Sequence, residues 1–139
     1  MIVLDASGLV LGRLASVTAK MLLAGEEIKI VNAEKVLITG RKESIYNDYS
    51  QARARGSREK GPYFPRRPEM ILKRTIRGML PYKFQRGRNA MARLRVYVGV
   101  PREFKGVQFE QPDNAMVKEA SNILYVELGD LSKRLGANF

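Results

Sequence analysis

The residues of this chain predict an α/β layer architecture built around one sheet. Three observations carry that expectation. Short apolar runs rich in β-branched residues recur along the chain, amphipathic segments of helical spacing alternate with them, and 139 residues with 45% hydrophobic content suffice for a compact core. Neither an internal repeat nor a linker interrupts the alternation, so one domain spanning 1–139 is expected.

The chain opens with a strand at Ile2 to Leu4 and a turn through Asp5, Ala6, Ser7 and Gly8. An amphipathic helix follows from about Gly12 to Ala24, because Leu14, Val17, Met21 and Leu22 share one face while Arg13, Ser16 and Lys20 lie away from it. Gly25 suits a left-handed helix end. Ile28 to Val31 and Val36 to Ile38 read as buried strands of a sheet covered on both faces. Helices are expected at about Lys42 to Ala54 and Pro68 to Leu80, with Pro68 in a first turn, where its missing N–H does no harm. Arg95 to Val100 returns to the sheet as a strand, and Val107 to Asp113 is irregular. Ile123 to Leu128 reads as a strand, and Asp130 to Leu135 as a short helix before Gly136. The segment Arg53 to Arg67 is too polar and too rich in Gly and Pro to bury itself, so an exposed loop without fixed order before a partner binds is expected.

Composition closes most routes to catalysis. The chain has no cysteine and no histidine, which removes thiolate nucleophiles, disulfides and the commonest general base and metal ligand. Acidic residues are scattered or, as at Glu26 and Glu27, sit in a turn, so no metal site is expected. Gly8 to Arg13 and Gly40 to Ser44 resemble phosphate loops only superficially. The first lacks the Gly-x-Gly-x-x-Gly spacing and the second lacks a Gly-Lys-Ser/Thr ending, so both are expected to be tight turns. A nuclease or methyltransferase would need the acid cluster or cofactor loop that is missing here. No cofactor and no small-molecule substrate are expected. No apolar run approaches the ~20 residues of a membrane span, so a cytoplasmic chain with no membrane partner is expected.

The formal charge of +11 points to a polyanionic partner. Its distribution says more. Residues 41–105 hold 18 of the 25 Lys and Arg against 5 of the 14 Asp and Glu, a local net of +13, whereas the remainder, with 7 basic and 9 acidic residues, nets −2. Of those 18 cations 13 are arginine, the side chain suited to bidentate phosphate contacts and to stacking on bases. On the helix from Pro68, Leu72, Ile76, Met79 and Leu80 fall to one side and Lys73, Arg74 and Arg77 to another, so one element could pack and bind at once. Taken alone it would be an ordinary helix with a solvated basic face. Directly after it, Pro81 to Arg88 alternates cations with aromatics and glycine, a composition suited to phosphates and unpaired bases. Tyr82 and Phe84 could equally pack in the core.

Several stretches resemble the ribosomal protein L-thirteen family of the large subunit. They are Thr75-Ile76-Arg77-Gly78-Met79-Leu80-Pro81 with Lys83, Arg86 and Gly87, then Arg93 to Gly99. The opening Val3-Leu4-Asp5-Ala6, Leu11 to Ser16, Asn32 to Val36 and Ile38-Thr39-Gly40 are similar to the same family. Arg74 to Pro81, Gly61-Pro62-Tyr63 and Leu128 to Leu131 point to its archaeal and eukaryotic branch, while the arginine-rich middle loop without histidine departs from the bacterial pattern. The resemblance implies a three-layer α/β/α sandwich around a central, mostly parallel sheet, with basic loop extensions. It also implies a structural, non-enzymatic part in the large ribosomal subunit. Large-subunit ribosomal RNA and neighbouring large-subunit proteins would be the partners, and the chain would stabilise the RNA fold early in subunit assembly. A regulatory RNA-binding protein acting off the ribosome is the alternative that composition does not separate from this one. Expected phosphate contacts are Arg41, Lys42, Arg53, Arg55, Arg58, Lys60, Arg66, Arg67, Lys73, Arg74, Arg77, Lys83, Arg86, Arg88 and Arg93, with Tyr63, Tyr82 and Phe84 as candidates for base stacking.

Overall fold

A computed structural model gives the fold and describes residues 1–55, 64–112 and 124–139. Among the described residues the order is β1 (Ile2–Asp5), α1 (Leu11–Leu23), β2 (Ile28–Val31), β3 (Leu37–Thr39), α2 (Lys42–Ala54), α3 (Pro68–Gly78), α4 (Gln85–Ala92), β4 (Leu94–Val96), β5 (Tyr125–Glu127) and α5 (Leu128–Arg134). Short 3-10 turns lie at Ala33–Lys35 and Arg102–Phe104. Ile123, the first residue of the last expected strand, lies outside the described residues.

The central sheet is parallel, in the order β1-β2-β4, with Ile2 opposite Ile28, Leu4 opposite Ile30, and Ile28 opposite Leu94. Side chains alternate between its faces. Leu4, Ile28, Ile30 and Leu94 join Leu14 and Leu22 of α1 and Ile71, Leu72 and Ile76 of α3 in the main core. On the other face Val3 and Val31 are covered by Phe104, with Tyr97 and Phe109 packed beside them. The Tyr97 and Phe104 rings meet edge to face with centroids 5.5 Å apart. The result is an α/β sandwich with α1 and α3 on one side of the sheet and the aromatic-bearing 3-10 segment on the other.

Local chemistry explains the element ends. Gly25, with φ +99, takes the left-handed position after α1, and the Glu26 and Gly25 N–H groups donate to the Met21 and Leu22 carbonyls, the paired bonds of a Schellman motif. Pro68 stands in the first turn of α3, as its fixed φ favours. Gly8 and Gly40 both have positive φ and sit in turns, their N–H groups donating to the Lys35 and Leu124 carbonyls.

Three details depart from the sequence reading. β3 does not join the central sheet but pairs antiparallel with β5, Ile38 opposite Val126. Only the turn at Asn32 to Val36 separates β2 from β3, and a parallel return needs a crossover of about a dozen residues. β4 is short because Gly99, with φ +67, turns the chain, though Tyr97 N–H still donates to the Ile30 carbonyl. Lastly, the end of the cation and aromatic stretch Pro81 to Arg88, where no helix was expected, belongs to helix α4. Its buried residues are the small Gly87 and Ala90, which leave no apolar periodicity to read, and a Cβ on Gly87 would lie 2.0 Å from the Pro81 carbonyl oxygen.

The loops at the C-terminal ends of the parallel strands are tied together by one carboxylate. Asp5 Oδ1 accepts from the Ser7 N–H and from Asn32 Nδ2, each at 3.0 Å. Asn32 is held at φ 58, a conformation its short polar side chain tolerates, and Glu34 accepts the Gly99 N–H at 2.9 Å. Burial alone would raise the Asp5 pKa, but the hydrogen bonds from Asn32 and Ser7, aided by Lys35, outweigh it and hold the carboxyl below its ordinary value. A depressed carboxylate stabilises the fold above its unfolded pKa, and that contribution disappears as pH falls through the folded value. Urea unfolding of Asp5→Ala at neutral pH should show a loss of about 1 kcal/mol, and this difference from wild type should vanish in strong acid.

Candidate nucleic-acid interface

Helix α3 divides its residues between core and surface. Ile71, Leu72 and Ile76 are buried, as is Leu80 just beyond it, while Lys73 and Arg74 are half-buried and Arg77 is exposed. Met79 belongs with the exposed residues at 44%, not with the apolar side expected from spacing, because it follows the last helical residue and the turn rotates it outward. From residue 68 to 93 there are seven cations and one acid, Glu69. That acid is already bound, its Oε1 lying 2.6 Å from Arg67 Nε. Cations thus outnumber acids seven to one in this stretch.

The turn after α3 continues this surface. The Arg77 guanidinium lies 5.0 Å from the centre of the Tyr82 ring, so Tyr82 has a cation–π partner within the chain and is 41% exposed. Phe84 is 70% exposed and is not a core residue. Lys83, Arg86 and Arg88 are exposed along the turn and α4. Arg74 lies over the Phe64 ring at 5.0 Å, and Phe64 in turn meets Tyr49 of α2 edge to face.

The other expected cations are spread more widely. Arg41 and Lys42 are exposed at the start of α2, and Arg53 and Arg55 stand at its other end, roughly 20 Å away at 1.5 Å per residue. Lys42 sits 5.6 Å from the Tyr46 ring centre, and Arg53 Nε donates to the Leu135 carbonyl at 3.3 Å, tying α2 to the end of α5. Arg66 and Arg67 are exposed just before α3. Arg58, Lys60 and Tyr63 lie outside the described residues, as does the middle of the loop expected between Arg53 and Arg67. Among the described residues no three acids come together as a metal-binding group, and no helix is long and apolar enough to cross a membrane.

The sequence of this chain has known counterparts. The sequence profile of the family described as Ribosomal protein L13 matches residues 1–103. Three archaeal relatives, each named Large ribosomal subunit protein uL13, align over nearly the whole chain. The protein of Methanococcoides burtonii is 54% identical over 139 residues and that of Methanosarcina barkeri 56% over 140, each alignment covering 100% of both chains. The protein of Archaeoglobus fulgidus is 54% identical over 135 residues, covering 96% of this chain and 86% of its own.

The chain belongs to the ribosomal protein L13 family. Membership carries the general role with it: this is a structural protein of the ribosome, acting in translation in the cytoplasm, and not an enzyme.

Within this L13 family member some surface features escaped the sequence reading. Met70 is 53% exposed and shares a face with Lys73 and Arg77 at intervals of three and seven residues, a spacing visible in the sequence but masked by the habit of assigning methionine to the core. Arg95, Arg102 and Lys105 are exposed as well. Arg93, by contrast, is half-buried and turned inward. Its Nη2 donates to the Leu22 carbonyl at the end of α1, and its Nε is buried without a hydrogen-bond partner. Such a cation adds a second donor to a carbonyl that also accepts the Gly25 N–H, and it complements the helix dipole. Arg93→Ala is therefore expected to lower stability by about 1–3 kcal/mol, and Arg86→Ala by less than about 0.5 kcal/mol, in chemical denaturation.

Proposed function

We propose that the chain binds large-subunit ribosomal RNA and stabilises its fold, joining the large subunit early in assembly. The observation that carries this reading is the cation-rich run of α3, α4 and the turn between them, seven cations to one acid, with Lys83, Arg86 and Arg88 exposed. The relatives' common name, a large ribosomal subunit protein, supports the location. Arg41, Lys42, Arg55, Arg66, Arg67, Lys73, Arg77, Lys83, Arg86 and Arg88 neutralise phosphates where RNA segments meet, joined by Arg53, Arg58 and Lys60 from the following segment and by Arg74 beside Phe64. Arg93 serves the core first. Phe84 offers a ring for an unpaired base, as does Tyr63, whereas Tyr82 acts together with Arg77. Residues 1–139 act as one domain, with neighbouring large-subunit proteins as further partners. No chemical step is involved, and rigid positioning is the function.

Sedimentation of a cell extract through a high-salt sucrose gradient tests the location. Co-migration with large-subunit RNA through the salt wash is expected, since loosely held basic proteins are released there, and recovery only at the top of the gradient overturns the reading. With purified protein and ribosomal RNA, the double variant Arg86→Gln and Arg88→Gln should flatten the dependence of log affinity on log salt by about 2, roughly one per phosphate contact removed. An unchanged slope would exclude those two side chains from the interface.

A further inference from the structure

Beside the cationic face of α3 lies an open groove of about 450 Å³, within the usual size of a ligand site, which is on the order of 300–1,000 Å³. Phe64 and Pro65 before the helix, Met70 on it and Met91 of α4 form its apolar surface, and Lys73, Arg74 and Arg77 supply its charge. No acid lines it. A neighbouring cavity of about 330 Å³ between α2 and α3 shares Phe64 and Arg74 but contains Asp48, whose carboxylate repels phosphate.

We propose that this groove seats one unpaired nucleobase of RNA against the Met70 and Met91 side chains and the edge of Phe64, with phosphates of the same strand on Lys73 and Arg77. The inference rests on the RNA-binding reading above and names the part of the RNA that this face takes. Three observations support it. Met70 spends 53% of its surface on solvent although Ile71 and Leu72 beside it are fully packed, so the site is not finished by the protein's own core. Its thioether and that of Met91 are polarizable groups of the kind that make favourable contacts with flat π systems. Lys73 and Arg77 follow Met70 at intervals of three and seven residues, so the cations rise one and two turns along α3 from the apolar seat, in steps of roughly 5 Å. An apolar platform beside a track of cations is the arrangement by which proteins hold single strands, whose bases are free to leave the stack. Paired RNA presents its backbone to the cations but keeps its bases stacked, so it uses only half of the groove.

The test compares two RNA probes on the full-length protein by fluorescence anisotropy: an unstructured oligouridylate of about ten nucleotides and a duplex of about the same length. Met70→Ala, at an exposed position, is expected to weaken oligouridylate binding about fivefold to tenfold while leaving duplex binding within about twofold of wild type. Met70→Leu, which keeps an apolar seat, should retain most of the affinity. Lys73→Gln should weaken both probes. A 5-bromouridine oligonucleotide should photo-crosslink at Met70 or Met91. Equal effects of Met70→Ala on both probes, or none on either, overturn the groove proposal while duplex binding leaves the RNA-binding reading intact. Failure of wild type to bind either probe overturns both. Unchanged oligouridylate affinity together with a protein crosslink at Met70 in the assembled particle would make the groove a seat for a neighbouring protein, and overturns the proposal as well.

Discussion

Burial of one side of α3 against the parallel sheet is the constraint on which the rest of the molecule depends. Ile71, Leu72 and Ile76 are at most 1% exposed and share a core with Ile28, Ile30 and Leu94. Each such side chain contributes about 1.5–3 kcal/mol when taken fully out of water. That burial sets the helix's rotation, and rotation decides where everything opposite must point. Lys73 and Arg77 face outward because Leu72 and Ile76 face inward, and α4 and the Tyr82 turn are carried to the same side by the chain that follows.

The same constraint reconciles a stable fold with a crowded positive surface. Seven cations against one acid between residues 68 and 93 leave a net repulsion, and repulsion of this kind weakens compact states. The core tolerates it because Arg77, Lys83, Arg86 and Arg88 are exposed to solvent while the apolar side of α3 is closed. Aromatic rings take up part of the load: Arg77 rests on Tyr82, and Arg74 on Phe64. A polyanion laid along this surface would relieve the remaining repulsion, so binding and stabilisation act in the same direction.

The residues beyond the stretch matched by the family profile are part of this arrangement. Phe104 closes the second face of the sheet over Val3 and Val31, and Val126, Leu128 and Leu131 enter the main core. A Cβ on Gly129 would stand 2.9 Å from the Glu34 carbonyl oxygen, so α5 packs backbone to backbone against the turn after β2. Glu34 is also the acceptor for Gly99, and its neighbour Asn32 donates to Asp5. The final helix, the strand-end loops and the polar tie at Asp5 thus form one connected unit.

Much of this was legible in the residues themselves. Period and local chemistry located α1, α2, α3 and the strands β1 and β2 to within a residue or two: α1 and α3 carry apolar faces with Gly25 or Pro68 at an end, and β1 and β2 are short apolar runs, whereas α2 buries only Ile45. Charge clustering marked the basic region for the same reason: net charge is a property of sequence and needs no fold. Partner choice and burial are different, since they depend on what the chain brings together across long separations. The pairing of β3 with β5, the helix α4 built on Gly87 and Ala90, the inward turn of Arg93 and the outward exposure of Met70 and Met79 were decided only by tertiary packing. Local preference names a residue's helix or strand but not its strand partner or its exposure, and those were set by segments distant in the chain.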